Sequence, residues 1–267
     1  MPWLNTREVA LRYELAGEGS ETLLLLHEMG GTLESWDGLL PFLLPRFRVL
    51  RYDQRCAGLS EKPRAPLTMP DAGRDAVGLL EALGIATPVV PIGTAVGGAV
   101  ALHLASAWPA RVRGVIATSP ATGVPEAARA TLLDRADQME REGARSLVDA
   151  GLDLGYPMPL RGDAARFENC RAQRMAADPF GQAATMRMLA GLDMAAELAA
   201  IACPALILAG RHDLGRPPDR VHAVADAIPG AAFRVLESGH FMAIQTPELL
   251  AAEITDFLGR LSKAPAG

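Results

Sequence analysis

The stretch from Pro88 to Ala107 constrains this chain most, because it demands a strand, a turn with almost no room and a helix in immediate succession. Pro88-Val-Val-Pro-Ile92 is a short apolar strand, and Val96 to Ala107 is an apolar helix closed by Trp108-Pro109. Between them, Gly93-Thr94-Ala95-Val96-Gly97 places small residues where the backbone has to reverse, and Gly98 lets the helix pack close. The spacing is that of G-x-S-x-G, whose central residue is held clear of the sheet in a strained turn. Here that residue is alanine. The pattern therefore predicts a positive φ at Ala95, with a methyl group where the nucleophilic oxygen of the motif would stand.

The remaining members of such a site follow in the chain order nucleophile, acid, histidine. Ala205-Leu-Ile-Leu-Ala209 reads as a buried parallel strand that runs into Gly210-Arg211-His212-Asp213, which puts Asp213 at the strand's carboxyl end. The strand Ala232 to Leu236 leads into Glu237-Ser238-Gly239-His240-Phe241. Asp213 and His240 then lie on loops at the sheet edge that also carries Ala95, where open α/β sheets keep their chemistry. His240 is expected to hydrogen-bond Asp213 and to turn its other ring nitrogen toward the Ala95 methyl. An oxyanion site needs backbone amides. His27-Glu28-Met29-Gly30-Gly31, after the strand Thr22 to Leu26, is placed to supply Met29 N–H, and the turn itself supplies Val96 N–H.

These motifs resemble the α/β-hydrolase superfamily from about residue 10 to about residue 262. Tyr52-Asp53-Gln54-Arg55-Cys56-Ala57-Gly58-Leu59-Ser60 is similar to its D-x-R-G-x-G-x-S loop. Within the superfamily, Met29 to Trp36, the loop ending Gly58-Leu59-Ser60-Glu61, and Ala176 to Gly181 leading to Leu192-Asp193 look most like 3-oxoadipate enol-lactonases and their relatives. The resemblance implies an α/β-hydrolase fold with a mainly parallel eight-stranded sheet, flanking helices and an inserted helical cap. It implies hydrolysis of a small carboxylated ester or lactone without a cofactor. Three positions depart from the pattern: Ala95 at the nucleophile, Glu28 for a glycine of the oxyanion loop, and Cys56 for a glycine of the arginine loop.

Alternation of strands and helices supports the same architecture. Strands are expected at Val9 to Tyr13, Thr22 to Leu26, Arg48 to Tyr52, Pro88 to Ile92, Val112 to Thr118, Ala205 to Ala209 and Ala232 to Leu236. Helices are expected at Trp36 to Leu44, Pro70 to Leu83, Val96 to Ala107, Pro217 to Ala227 and Pro247 to Leu261. The stretch 121–200 has helical spacing and no convincing strand, so it reads as a cap on a core formed by 1–120 and 201–262, with 263–267 a tail. At 267 residues and 49% hydrophobic, the chain is long enough for one core of this kind. Net charge −5 offers no basic footprint for nucleic acid. No apolar run reaches membrane-spanning length, and the first residues mix charge with polar groups, so a cytoplasmic location with no membrane partner is expected. Cys56, Cys170 and Cys203 fit a reducing compartment, and the five histidines have no metal-ligand spacing. A homodimer is left open.

The cap would set substrate choice. It carries Arg161, Arg166, Arg171, Arg174 and Arg187, and the methionines Met158, Met175, Met186, Met188 and Met194. A guanidinium pairs well with a carboxylate, and methionine gives an adaptable apolar lining. His27, Glu28, Arg174, Arg187 and Met186 are the substrate-binding candidates, weighed against the ordinary fate of helix arginines in solvent and helix methionines in the core. Ala95 leaves two explanations open. Either a serine has been exchanged for alanine in a serine hydrolase, or alanine is natural and His240 with Asp213 acts as a general base on water or on a substrate C–H, as in C–C cleavage or lyase chemistry. A non-catalytic small-molecule receptor is the third reading; retention of His240 and Asp213 counts against it.

Overall fold

Four consecutive leucines in Thr22–Leu26 show how the sheet is built, because successive side chains of a strand point to opposite faces. Leu24 and Leu26 pack into one hydrophobic layer, while Leu23 and Leu25 pack into the other, and all four are fully buried. A strand apolar on both faces must have helices on both sides. The structure, a computed structural model, describes residues 2–6 and 8–262; the tail expected at 263–267 lies outside them.

The strands are β1 (Trp3–Asn5), β2 (Ala10–Ala16), β3 (Thr22–Leu26), β4 (Arg48–Tyr52), β5 (Val90–Thr94), β6 (Val115–Thr118), β7 (Ala205–Gly210) and β8 (Ala232–Leu236). They form one eight-stranded sheet in the order β1-β2-β4-β3-β5-β6-β7-β8. β1 and β2 pair antiparallel, as do β2 and β4, and every other pairing is parallel. Helices of the core are α1 (Leu40–Leu43), α2 (Met69–Ala82), α3 (Val96–Ala107), α9 (Pro218–Asp226), α10 (Met242–Gln245) and α11 (Pro247–Leu261). Between β6 and β7 lie α4 (Glu126–Glu142), α5 (Arg145–Gly155), α6 (Ala164–Ala176), α7 (Pro179–Ala190) and α8 (Ala195–Ala199), with no strand of the sheet among them.

Differences from the sequence expectation have local causes. The helix expected from Trp36 to Leu44 is a short 3-10 turn, Leu33–Trp36, followed by α1, because Pro41 fits only the first turn of a helix. β5 starts two residues later than expected, at Val90, with Val89 making only an isolated bridge to Val112. β6 starts at Val115, after a 3-10 turn at Pro109–Arg111. β1 was not anticipated; it is only three residues long and half exposed, so it carries no periodic signal.

The parallel register decides where the loops go. Leu26 stands beside Gly93, Thr94 beside Thr118, and Gly210 beside Leu236. The carboxyl ends of β3, β5, β7 and β8 therefore share one edge, and the loops bearing Met29, Ala95, Asp213 and His240 leave from it.

Candidate active site

The turn between β5 and α3 is held closed by backbone contact. A Cβ on Gly93 would stand 2.1 Å from the Gly97 carbonyl, and one on Gly97 would stand 2.1 Å from the Leu26 carbonyl, so neither position admits a side chain. Ala95 has φ 53° and ψ −112°, the positive φ expected of the motif's central residue. Its amide donates to Thr118 O at 2.9 Å, and its carbonyl accepts from Ala121 N at 2.9 Å and Ala99 N at 3.0 Å. The strain, about 1–3 kcal/mol, is sustained by these bonds on either side. Val96 is the first residue of α3, where helix amides lack intrahelical acceptors. Among the described residues neither Val96 N–H nor Met29 N–H has a hydrogen-bond acceptor, and both residues line one cavity with Ala95 and His240.

His240 Nδ1–H donates to Asp213 Oδ2 at 2.6 Å. Asp213 is buried, and its Oδ1 accepts from Gly215 N at 3.0 Å and Arg216 N at 2.9 Å. Burial alone would raise the Asp213 carboxyl, but the charge and hydrogen bond of His240, with the Arg216 amide, outweigh it and hold the group below the usual carboxylate range. An ionised partner on Nδ1 leaves Nε2 as the nitrogen available to the cavity, which is the arrangement of an oriented general base.

The inserted helices between β6 and β7 contact this pair. Gly155 O, at the end of α5, accepts from His240 N at 2.8 Å and from Gln245 Nε2 at 3.0 Å, and the neighbouring Leu154 O accepts from Leu214 N at 2.9 Å. A Cβ on Gly155 would lie 2.9 Å from both His240 Cβ and the Phe241 ring, so close approach of the cap depends on glycine there.

Other expected residues take different roles. Glu28 is buried, and its Oε1 accepts from Arg174 Nη2 at 2.6 Å and Ser35 Oγ at 3.1 Å. Arg174 also donates from Nη1 to Cys170 O at 3.1 Å and lies 4.0 Å over the Phe241 ring. Both residues line the cavity, yet each already has its partner. His27 does not line it. Its Nε2 accepts from Gln54 N at 3.0 Å, so Nδ1 is the protonated nitrogen that donates to Glu28 O at 2.7 Å, and the ring shapes the loop behind Met29. Arg187 is corrected as well: it pairs with Glu140 and Asp137, both at 2.6 Å, and is absent from the cavity lining. Met186 does line it. Cys56, at φ 69°, is a packed thiol that burial pushes up, which disfavours the thiolate.

The cavity has a volume of about 380 Å³, with apolar walls from Met139, Leu147, Val148, Leu152, Met186 and Leu189. Sequence reading missed three polar groups on it. Gln182 is buried, with no hydrogen-bond partner for Nε2 among the described residues; Arg216 and Arg135 bring guanidinium groups. Nothing in their sequence context marks them: Arg135 is one of many arginines of the inserted helices, and Arg216 lies on the loop after β7, outside the stretch 121–200. Among the described residues no group of three or more His, Cys, Asp or Glu side chains could hold a metal ion, and no helix is long and apolar enough to cross a membrane.

A strained small-residue turn, an aspartate-held histidine and inserted helices meet at one sheet edge, in a chain of the hydrolase class. The chain belongs to the family described as alpha/beta hydrolase fold, which it matches over residues 21–247. It is 31% identical over 261 residues to a protein of Variovorax paradoxus named as carbamate hydrolase RutD, covering 94% of this chain and 97% of that protein. The enol-lactonase from Burkholderia xenovorans superposes with a TM-score of 0.92 at 27% identity, over 97% of this chain and all (100%) of that one. A thermophilic esterase from Thermogutta terrifontis, described with malate bound, superposes with a TM-score of 0.90 at 26% identity, over 97% of this chain and 98% of that one.

Proposed function

We propose that this chain hydrolyses a small carboxylated ester or lactone, with His240 acting as general base on a water in the space beside Ala95. The observation that carries the reading is the 2.6 Å bond from His240 to Asp213, which orients an imidazole toward the cavity although the residue at the elbow has no oxygen. A receptor has no need of a base held in one tautomer. His240 Nε2 takes a proton from water, the water oxygen attacks the carbonyl carbon, and the amides of Met29 and Val96 receive the charge on the carbonyl oxygen. Collapse of the tetrahedral intermediate expels the alkoxide, which recovers the proton from His240. No covalent intermediate forms, because an alanine methyl cannot attack. The names of the relatives support hydrolysis of a small acyl substrate, and the description of the thermophilic esterase as malate-bound is in keeping with a carboxylated ligand.

The test is turnover of a panel of aryl esters, enol-lactones and carbamates by the protein as it stands, by His240→Ala and by Ala95→Ser. General-base hydrolysis requires measurable turnover that His240→Ala abolishes and that Ala95→Ser leaves unchanged or lowers. If instead only Ala95→Ser is active, by several orders of magnitude, and becomes labelled by a serine-directed phosphonate, the site works through an acyl-enzyme and the water mechanism is wrong. No turnover by either form, with tight binding of a small carboxylate, would favour a receptor.

A further inference from the structure

Five arginines of the inserted helices are each engaged by a carboxylate, whereas Arg216, on the loop between β7 and α9, is not. Arg161 pairs with Asp153, Arg166 with Asp163, Arg171 with Asp149, Arg174 with Glu28, and Arg187 with Asp137 and Glu140. A guanidinium already engaged by a carboxylate has little left to offer a ligand. Arg216 differs. It is half-buried, lines the cavity, and makes no ion pair among the described residues; its side chain's hydrogen bond is from Nη1 to Pro120 O at 3.2 Å. Its own amide is bound to Asp213 Oδ1, which anchors this residue beside the catalytic pair.

Asp213 attracts this guanidinium from nearby but forms no ion pair with it among the described residues. Both carboxylate oxygens are taken, Oδ2 by His240 and Oδ1 by the amides of Gly215 and Arg216. Burial, with repulsion from Arg220 added and attraction to Asp213 only partly offsetting both, pulls the Arg216 guanidinium down to about 10, which still leaves it charged at neutral pH. A partly desolvated cation with unused N–H donors is costly unless an anion completes it. The remaining walls are mainly apolar, so the anion would belong to a small molecule with an aliphatic body.

We propose that Arg216 is the carboxylate-binding residue of this cavity, selecting ligands that carry a carboxylate on a short apolar chain. This deepens the proposed hydrolysis and rests on the same cavity, but it concerns binding alone. Arg135, exposed on α4 and also without an ion pair among the described residues, lies on the same lining and adds positive potential for an arriving anion.

Hexanoate and its neutral counterpart hexanamide test this without any reaction, by ligand-observed NMR on the intact protein. The unaltered protein should bind hexanoate at least about 10-fold more tightly than hexanamide, the scale of a charge-assisted hydrogen bond. Arg216→Met should bring the two ligands to within about 2-fold of each other while hexanamide affinity is unchanged, which also reports an intact cavity, and Arg216→Lys should fall between. An unaltered protein without preference, or a preference that survives in Arg216→Met, overturns the proposal. Selective binding that tracks Arg216 upholds it even where no ester is hydrolysed. Turnover of carboxylated esters with KM unaffected by Arg216→Met overturns it while leaving the hydrolase reading intact.

Discussion

Removing Arg174 should destabilise the protein by about 3 kcal/mol, because it leaves a buried carboxylate without its cation. Glu28 and Arg174 are 4% and 7% exposed in their side chains, and the guanidinium of an inserted helix meets the carboxylate on the loop after β3 at 2.6 Å. At an effective dielectric of 20 and about 4 Å between charge centres, the attraction is about 4 kcal/mol, most of which offsets the desolvation of the two ions. Arg174→Met loses the attraction but keeps Glu28 buried, with Ser35 as its remaining hydrogen bond. For a chain of 267 residues this corresponds to a fall in Tm of about 5 °C. Glu28→Gly should likewise be costly alone, since it strands the arginine under Phe241. The double variant should recover about 2 kcal/mol of the summed loss, because neither charge is then left behind. Urea denaturation of the four proteins gives the cycle. A loss below about 1 kcal/mol for Arg174→Met, or single-variant losses that simply add, would refute the assignment of this pair as a coupled tie between cap and core.

Three further outcomes are expected. Ala95→Gly should raise stability by about 1 kcal/mol, against the usual direction for this exchange, because glycine adopts a positive φ without strain; a Tm lowered by more than about 2 °C would show the turn is not strained. The Asp213 carboxyl is depressed in the folded state, so the stability it adds is present above its unfolded value of about 3.9 and is lost as pH falls through the lower folded one. The stability gap between the unaltered protein and Asp213→Asn should accordingly narrow below about pH 4, as followed by urea titration at each pH. All three thiols are raised by burial, Cys203 to about 11, so a disulfide reagent at pH 8 should react slowly with native protein and rapidly in urea. Rapid stoichiometric labelling of the native protein would contradict that.

The sequence made legible whatever depends on short-range pattern. Apolar runs such as Thr22–Leu26 and Ala205–Gly210 carry their own strand signal, and Gly93 and Gly97 are required by contacts within a few residues of Ala95 or with the strand beside it. Motif order alone brought Asp213 and His240 to one edge. What stayed hidden depends on pairing across the chain. Whether an arginine is free or spent is decided by carboxylates as far off as Glu28 from Arg174, and no periodicity encodes that. His27 illustrates the same point: its motif position suggested substrate, but its two nitrogens are occupied by backbone groups of Gln54 and Glu28.

The bond from Gly155 to His240 bears on how such enzymes can be recombined. Since the backbone N–H of His240 donates to a carbonyl of the inserted helices while its ring is held by Asp213, the insertion is not an interchangeable module that merely filters ligands. Transplanting another relative's insertion onto this core would alter the aim of the base along with the shape of the pocket. A chimera that gained a new substrate profile would also need a glycine at the graft's equivalent of position 155, or the histidine loop would be pushed aside. Selection on ligand preference and selection on reactivity thus meet at a single backbone contact.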